Sequence, residues 1–478
     1  MGSLPDSKYI IQTDGYWFVE AHDVDPSKGY ITVSAKGIVN GLSNQPNDGA
    51  DFGPDTYNPN YTGSGIPYTQ TSGIQEAFNY AYNNSVSLVD MSTGVFKISA
   101  NITLPKGIAV VGKGYGNGDN DFYLQPSPPT NTDTITAGTW IIPTSSSVTA
   151  IITTNGKLPA QNRIENIRIE GMYLSDAGLD LNAGTEFPND AISGLIVHNV
   201  AVTNCVSKNI DVSHSADVSL FNIHAWTKNT AGDFVLGVYD IVCNSPQSEV
   251  DMDNIFSYSP SSLSLSVNQW HCNNSIINAI NIIGNYGEYF LESSYLANSY
   301  QNILENGRIN FSGNYTIGNL QITNCYISIV GGTGQSTTLI DFANNSSASI
   351  AQLVLSGSVL QLYSGTGYFY NNGTQSQLGY VYDYGFRYYI QTTGTLTNYP
   401  LTITTPSVPA SGTAQSNNTQ HDVLVYLYGG TVTEIQYTPN GGSATQVGTS
   451  GPATVRLNRG DSITLTYSGT PTWNWVAV

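Results

Sequence analysis

Charge is what this sequence has least of. Lys, Arg, Asp and Glu make up 10% of its 478 residues, against roughly a quarter in average domains. Basic residues are the scarcer kind, 15 Lys and Arg against 34 Asp and Glu, for a formal net charge of −19. Phosphate backbones and anionic membranes attract basic surfaces, so nucleic acid and membrane are poor partners for this chain. A polyanionic sugar is disfavoured on the same ground, though a local basic cleft could still hold one. Cysteine is nearly absent. Cys205, Cys243, Cys272 and Cys325 show no C-x-x-C spacing, which removes a zinc site. They read as buried thiols or as a pair bridged between neighbouring layers. No apolar run approaches the length of a membrane span, so no membrane insertion is expected. The opening MGSLPDSKYIIQ has no basic stretch leading into an apolar one, so it does not read as a secretory signal. Helix signal is also scarce. It is confined to about 73–84, where Ile74, Ala77, Phe78 and Ala81 recur at helical spacing, with Thr71 or Ser72 available to cap the first turn.

What the chain has instead is Gly (48), Tyr (32), abundant Ser, Thr and Asn, and a 40% hydrophobic fraction. A surface of neutral polar groups and tyrosine hydroxyls fits an extracellular protein and suits an acidic surrounding. Short strands separated by Gly, Asn, Ser and Asp run from about residue 86. One tripeptide returns along them: any residue, Asn, then a small apolar one. Its Asn is at 166, 199, 222, 254, 281, 302 and 324, in steps of 21 to 33 residues. That period, with inserts of varying length, marks stacked supersecondary units. Apolar residues alternate before the Asn, as in Val218 and Leu220, or Leu320 and Ile322. Each unit is therefore one coil of short parallel strands with alternate residues facing inward. An inward Asn is costly unless its amide is satisfied. Stacked on its equivalent about 4.8 Å away, each amide bonds the next. The expected fold is all-β: a right-handed single-stranded parallel β-helix with an N-terminal capping helix and a small C-terminal β-sandwich. The expected organisation is a β-rich segment at 1–45, the β-helix at 46–395, a Pro/Ser/Thr linker at 396–419 and the sandwich at 420–478. Trp473 and Trp475 either close the sandwich core or face a ligand.

Outward residues align on this ladder. Glu249, Asp251 and Asp253 alternate outward on one strand, with Phe221 and Ile280 expected in the flanking coils. Beyond the Asn, His224 and Trp226 are followed by Phe256 and Tyr258. Alternate strand residues lie about 6.5–7 Å apart, and inverting glycosidases hold their two carboxyls about 6.5–9.5 Å apart. Crowded carboxylates favour one protonated member, which a general acid needs. A second set, on another face, holds Asp233, Glu292, Trp270 and His271. The candidate catalytic residues are thus Asp251, Asp253, Glu249, Asp233 and Glu292. The candidate sugar-binding residues are His224, Trp226, Tyr258, Trp270 and His271. Either carboxylate set could instead be a solvated acidic surface with no task. The six histidines show no metal-ligand spacing, so no metal or cofactor is expected.

Five further elements occur in order: Asn47-Asp48-Gly49-Ala50, Gly73-Ile74-Gln75-Glu76-Ala77, Gly94-Val95-Phe96, Leu104-Pro105-Lys106-Gly107 and Gly112-Lys113-Gly114. With the Asn ladder they resemble right-handed parallel β-helix proteins of the pectate-lyase-like superfamily, viral tailspike glycan depolymerases among them. The resemblance implies a β-helix over about 46–390. It implies a polysaccharide or glycoprotein glycan on a cell surface as partner, a place outside the cell or on a virion tail, and a homotrimer. It carries over no catalytic residue, because neither the Arg or Lys motif of calcium-dependent lyases nor the Asp pair and Gly-His-Gly of polygalacturonases is present. Three functions stay open: a glycoside hydrolase, a non-catalytic host-attachment spike and a polysaccharide lyase.

Overall fold

The computed structural model describes residues 11–13, 16–18, 25–35, 50–54, 56, 69–116, 137–155, 161–182, 194–215, 217–229, 234–284, 287–296, 307–313, 315–329, 338–345, 347–362, 365–391, 393–399, 403–419 and 421–477. Asp233, Asn302 and residues 47–49 lie outside this set.

The chain winds as a parallel β-helix with three strands per full coil. In the first sheet, segments stack in parallel register from Leu88–Met91 to Tyr380–Tyr384. The second runs from Gly94–Ile98 to Arg387–Ile390, and the third from Ile102–Thr103 to Gly394–Thr397. Ile31–Val33 pairs with Leu88–Met91, so the first rung comes from the segment ahead of residue 46. Parallel rungs bury alternate residues along the bore, and one continuous core of Ile, Leu, Val and Phe runs from Ile31 to Phe386.

The helix Ile74–Asn83 lays Ile74, Ala77, Phe78 and Ala81 on this core. Its N-cap is Gly73, in the left-handed region at φ 82°. A Cβ there would meet the Gly53 nitrogen at 2.6 Å, so only glycine fits. The Thr71 hydroxyl still accepts from the Gln75 N–H at 3.2 Å, which satisfies one first-turn donor.

The corner between the first and second sheets explains the repeated Asn. Asn166, Asn199, Asn222 and Asn254 all adopt left-handed backbone, φ 51–57°, which Asn tolerates better than most residues. Asn199 Nδ2 donates to Asn166 Oδ1 at 2.5 Å, Asn222 to Asn199 at 2.6 Å, and Asn254 to Asn222 at 2.8 Å. After Asn254 the corner changes. It passes through Asn274, Ser293, Asn324 and Gly357, each at positive φ. Hydroxyls of the following residues take over the bonding: Ser275 Oγ accepts from Ile255 N, Ser294 Oγ from Ser275 N, and Ser358 Oγ from Cys325 N, at 2.9–3.0 Å. Asn281 is therefore not a corner residue. It sits in the third-sheet strand Ile280–Ile282, where it accepts from Asn310 Nδ2 at 3.1 Å. The tripeptide pattern slipped here because two coils replace the Asn corner by Asn-Ser and Ser-Ser.

All four cysteines are free and buried. The C-terminal strands form two antiparallel sheets, one around Val423–Tyr428 and one around Ser462–Gly469. Trp473 and Trp475 close their shared core, rings 5.5 Å apart. The stretch read as a linker packs on this core through Ile403 and Val408, and Trp473 Nε1 donates to the Pro406 carbonyl at 2.7 Å.

Candidate functional site

The outer face of the first sheet is a grid fixed by strand register. One column reads Glu249, Gln269, Glu288, Asn319, Gln352, Tyr380. The next reads Asp251, His271, Phe290, Gln321, Val354, Tyr382, and the third Asp253, Asn273, Glu292, Thr323, Ser356, Tyr384. The third column continues back from Asp253 through Phe221 and His198 to Glu165, and the second from Asp251 through Ser219 and Ile196 to Arg163.

This corrects the sequence alignment in three places. Asn273, not Ile280, is the neighbour of Asp253, and Ile280 is buried in the third sheet. Glu292 belongs to the same face as Asp253, two rungs away, rather than to a second face. Trp270 is fully enclosed: it packs on Tyr289 and donates its indole N–H to Met252 Sδ at 3.3 Å. Trp270 is thus core and reaches no ligand. Its neighbour His271 does face outward, with Nδ1 3.6 Å from Asp251 Oδ1.

An open groove of about 450 Å³ lies on this face, lined by Arg163, Glu165, Ile196, His198, Phe221, Asn222, Asp253 and Asn254. At one end Glu165 is engaged by Arg163 Nε at 2.5 Å and lies 3.5 Å from His198 Nδ1. At the other end Asp253 accepts from Asn274 Nδ2 at 2.9 Å. Phe221, 38% exposed, sits one rung from Asp253. An aromatic face and a carboxylate therefore share one groove wall, about 4.8 Å apart along the axis. Glu249 and Asp251 are exposed beside it on the same strand. Asp253, Asp251 and Phe221 were legible as an outward set. The Glu165–His198 end was not singled out, although both residues stand in the Asp253 column.

The second sheet offers less. Trp226 and Tyr258 are 4% and 6% exposed and meet edge to face at 5.9 Å, so burial takes them out of ligand contact. His224 is half-buried and stacks on Phe256, ring centroids 4.4 Å apart at 12°. Burial first, and the Arg168 charge second, push its pKa down to about 4. It is a neutral imidazole across the mildly acidic and neutral range. The nearby acid, Glu170, is fully buried. It accepts from Arg168 Nη2 at 3.1 Å, Thr203 Oγ1 at 2.7 Å and Asn204 Nδ2 at 2.8 Å. Arg168 in turn lies 4.1 Å from the Trp140 ring centroid. Here the charges hold the wall together. Among the described residues no group of three or more His, Cys, Asp and Glu is placed to hold a metal.

No protein-family model matches this chain, and no curated protein matches its sequence. Solved structures do align. The A-module of the mannuronan C-5 epimerase AlgE4 of Azotobacter vinelandii matches at 12% identity and TM-score 0.39, over 68% of this chain and 95% of that one. Tailspike protein 2 of an Escherichia coli O157:H7 bacteriophage matches at 11% identity and TM-score 0.28, over 87% and 61%. WceF of Pantoea stewartii, a glycan biofilm modifying enzyme with a tailspike-like parallel β-helix, matches at 9% identity and TM-score 0.20, over 84% and 58%. The likeness is one of fold.

Proposed function

We propose that the first-sheet face binds an extended cell-surface polysaccharide and hydrolyses it. The observation that carries this reading is the single groove wall on which Phe221 and Asp253 stand on adjacent rungs, with Asp251 two residues back on the Asp253 strand. Phe221 offers a flat apolar face to the C–H face of a sugar ring. Asp251 and Asp253 leave one strand two residues apart, a backbone repeat of about 6.5–7 Å, which lets their carboxyls take the spacing that leaves room for a water in an inverting hydrolase. Glu292, two rungs from Asp253, is about 10 Å away, just beyond that spacing. Asp253, oriented by Asn274, takes a proton from the water that attacks the anomeric carbon. Asp251 delivers a proton to the leaving glycosidic oxygen and regains one through His271. One glycosidic bond is exchanged for one new reducing end, and no cofactor is needed.

Carboxylates dominate the groove's neighbourhood, so the favoured substrate is uncharged. A flat face along the axis of a β-helix suits a spike outside the cell or on a virion tail, carried as a homotrimer. Incubation with neutral and acidic polysaccharides tests the reading. Reducing ends should appear with neutral polymers and vanish in Asp253→Asn and Asp251→Asn. Turnover of acidic polymers with an unsaturated, ultraviolet-absorbing product would instead mean a lyase. Retention on a polymer without any product would mean an attachment module.

A further inference from the structure

The far end of the same face carries a feature that the hydrolytic site does not use. On the strand Tyr380–Tyr384 three tyrosines point outward at alternate positions, exposed by 50%, 37% and 62% for Tyr380, Tyr382 and Tyr384. The Tyr382 and Tyr384 rings lie 6.2 Å apart in stacked, near-parallel planes, 9° from one another, and together make one aromatic step. Arg459 of the C-terminal sandwich covers Tyr380, its guanidinium carbon 3.3 Å from the ring centroid. That contact closes the end of the step and leaves Tyr382 and Tyr384 open. The three tyrosines end the three columns of the grid. Between them and the last carboxylates, Glu288 and Glu292, the columns hold Asn319, Gln321, Thr323, Gln352, Val354 and Ser356. No Lys or Arg stands in the grid from Glu249 to Tyr384. The carboxylates are thus confined to the rungs from Glu249 to Glu292, and two rungs without charge separate them from the aromatic end.

We propose that Tyr382 and Tyr384 form a distal anchor for an uncharged glycan chain lying along the helix axis. This rests on the proposed polysaccharide-hydrolase reading of the same face and names how the polymer lies on it. Asp253 and Tyr384 are five rungs apart in one column, about 24 Å at roughly 4.8 Å per rung. A chain of several sugars spans this; a disaccharide does not. Sugar rings stack on the two tyrosines, their hydroxyls meet the amides between, and the cleavable bond lies over Asp251 and Asp253. The charge pattern selects the occupant. A polyanion would cross five carboxylates and meet a single guanidinium, Arg459, already held over Tyr380 at the far end, whereas a neutral polymer meets no such repulsion.

The test uses the full chain with Asp253→Asn in the background, so that polymer survives the measurement. Dextran, galactomannan, yeast mannan and a mixed-linkage β-glucan are the probes, read by affinity electrophoresis, with disaccharides of the same linkages titrated by calorimetry. Tyr382→Ala/Tyr384→Ala should weaken binding of the retained polymer about tenfold or more, the loss of two aromatic contacts, and leave disaccharide binding where it was. Tyr382→Phe/Tyr384→Phe keeps the stacking faces and should bind within a few-fold of the parent. Equal polymer binding by the Ala and parent proteins overturns the anchor and leaves the hydrolase reading standing. No retention on any polymer by the parent overturns both. Should the Ala pair instead lower the mass in sedimentation equilibrium, the step is a contact between copies of the chain, and the anchor is wrong.

Discussion

Asp240 gives the sharpest test of the interior. Its carboxylate is fully buried in the bore, where it accepts from Asn209 Nδ2, Ser257 Oγ, Ser259 N and Ser259 Oγ at 2.6–3.0 Å. Four donors favour the ion and burial opposes it. Burial is the larger effect, and the pKa rises from 3.8 to about 7. The folded chain therefore holds a proton that the unfolded chain releases. The sign follows: Asp240 costs nothing below about pH 4, and its cost grows as pH climbs to about 7, then levels. A rise of about three units at 1.36 kcal/mol each is roughly 4 kcal/mol at most. Asp240→Asn cannot titrate. Its amide N–H would face the Ser259 N–H, a donor against a donor, so the variant should be less stable than the parent at pH 4. That deficit should shrink and then reverse toward pH 7. Urea melts of both proteins at half-unit steps of pH measure this, because the difference between the two curves cancels every other titrating group. Parallel curves across the whole range would refute the argument.

His224 predicts the opposite slope. Its pKa is lowered to about 4 from 6.5, so its contribution is present above about 6.5 and lost as pH falls toward 4. His224→Phe should remove that loss in urea melts. At the corner, Asn222→Ala should cost about 2–3 kcal/mol, from two side-chain hydrogen bonds and a left-handed φ. Asn222→Gly keeps the backbone and should recover about 1 kcal/mol of it, as read by the midpoint of thermal unfolding. Trp270→Ala should destabilise by about 3–5 kcal/mol through the core alone, without the direct loss of a ligand contact, as unfolding and glycan-binding measurements on one preparation would show.

Much of the fold was legible because its strongest signal is local. An Asn at a left-handed corner that must satisfy its amide has few alternatives, and at 166, 199, 222 and 254 the period, the in–out alternation and the ladder agree. The reading slipped at Asn281 because the physical requirement at a corner is a left-handed backbone with its polar groups satisfied. Asn274-Ser275 and Ser293-Ser294 meet it without the tripeptide. That slip moved Ile280 outward in place of Asn273 and split Glu292 from Asp253. The site was legible strand by strand, as with Asp251 and Asp253, but not across coils, where insert lengths decide which rungs touch. Trp270 and His271 show the limit. One residue of register separates a core indole from an outward imidazole, and composition is blind to it. The Tyr380, Tyr382 and Tyr384 step was not singled out from the sequence, although YVYDY alternates strictly; its alignment with the carboxylates needed the full set of registers.

Whether the first-sheet face hydrolyses glycan is decided by four proteins side by side. Parent, Asp251→Asn, Asp253→Asn and Glu170→Gln proteins are incubated with the neutral polysaccharides over acidic to neutral pH, and new reducing ends are counted alongside the melting temperature of each. Release is expected from the parent, with loss in both Asp variants and little change in melting. Glu170→Gln, altering the buried second-sheet acid, should lower the melting temperature first. Release that survives in Asp251→Asn and Asp253→Asn would rule out this groove and put the chemistry elsewhere on the helix.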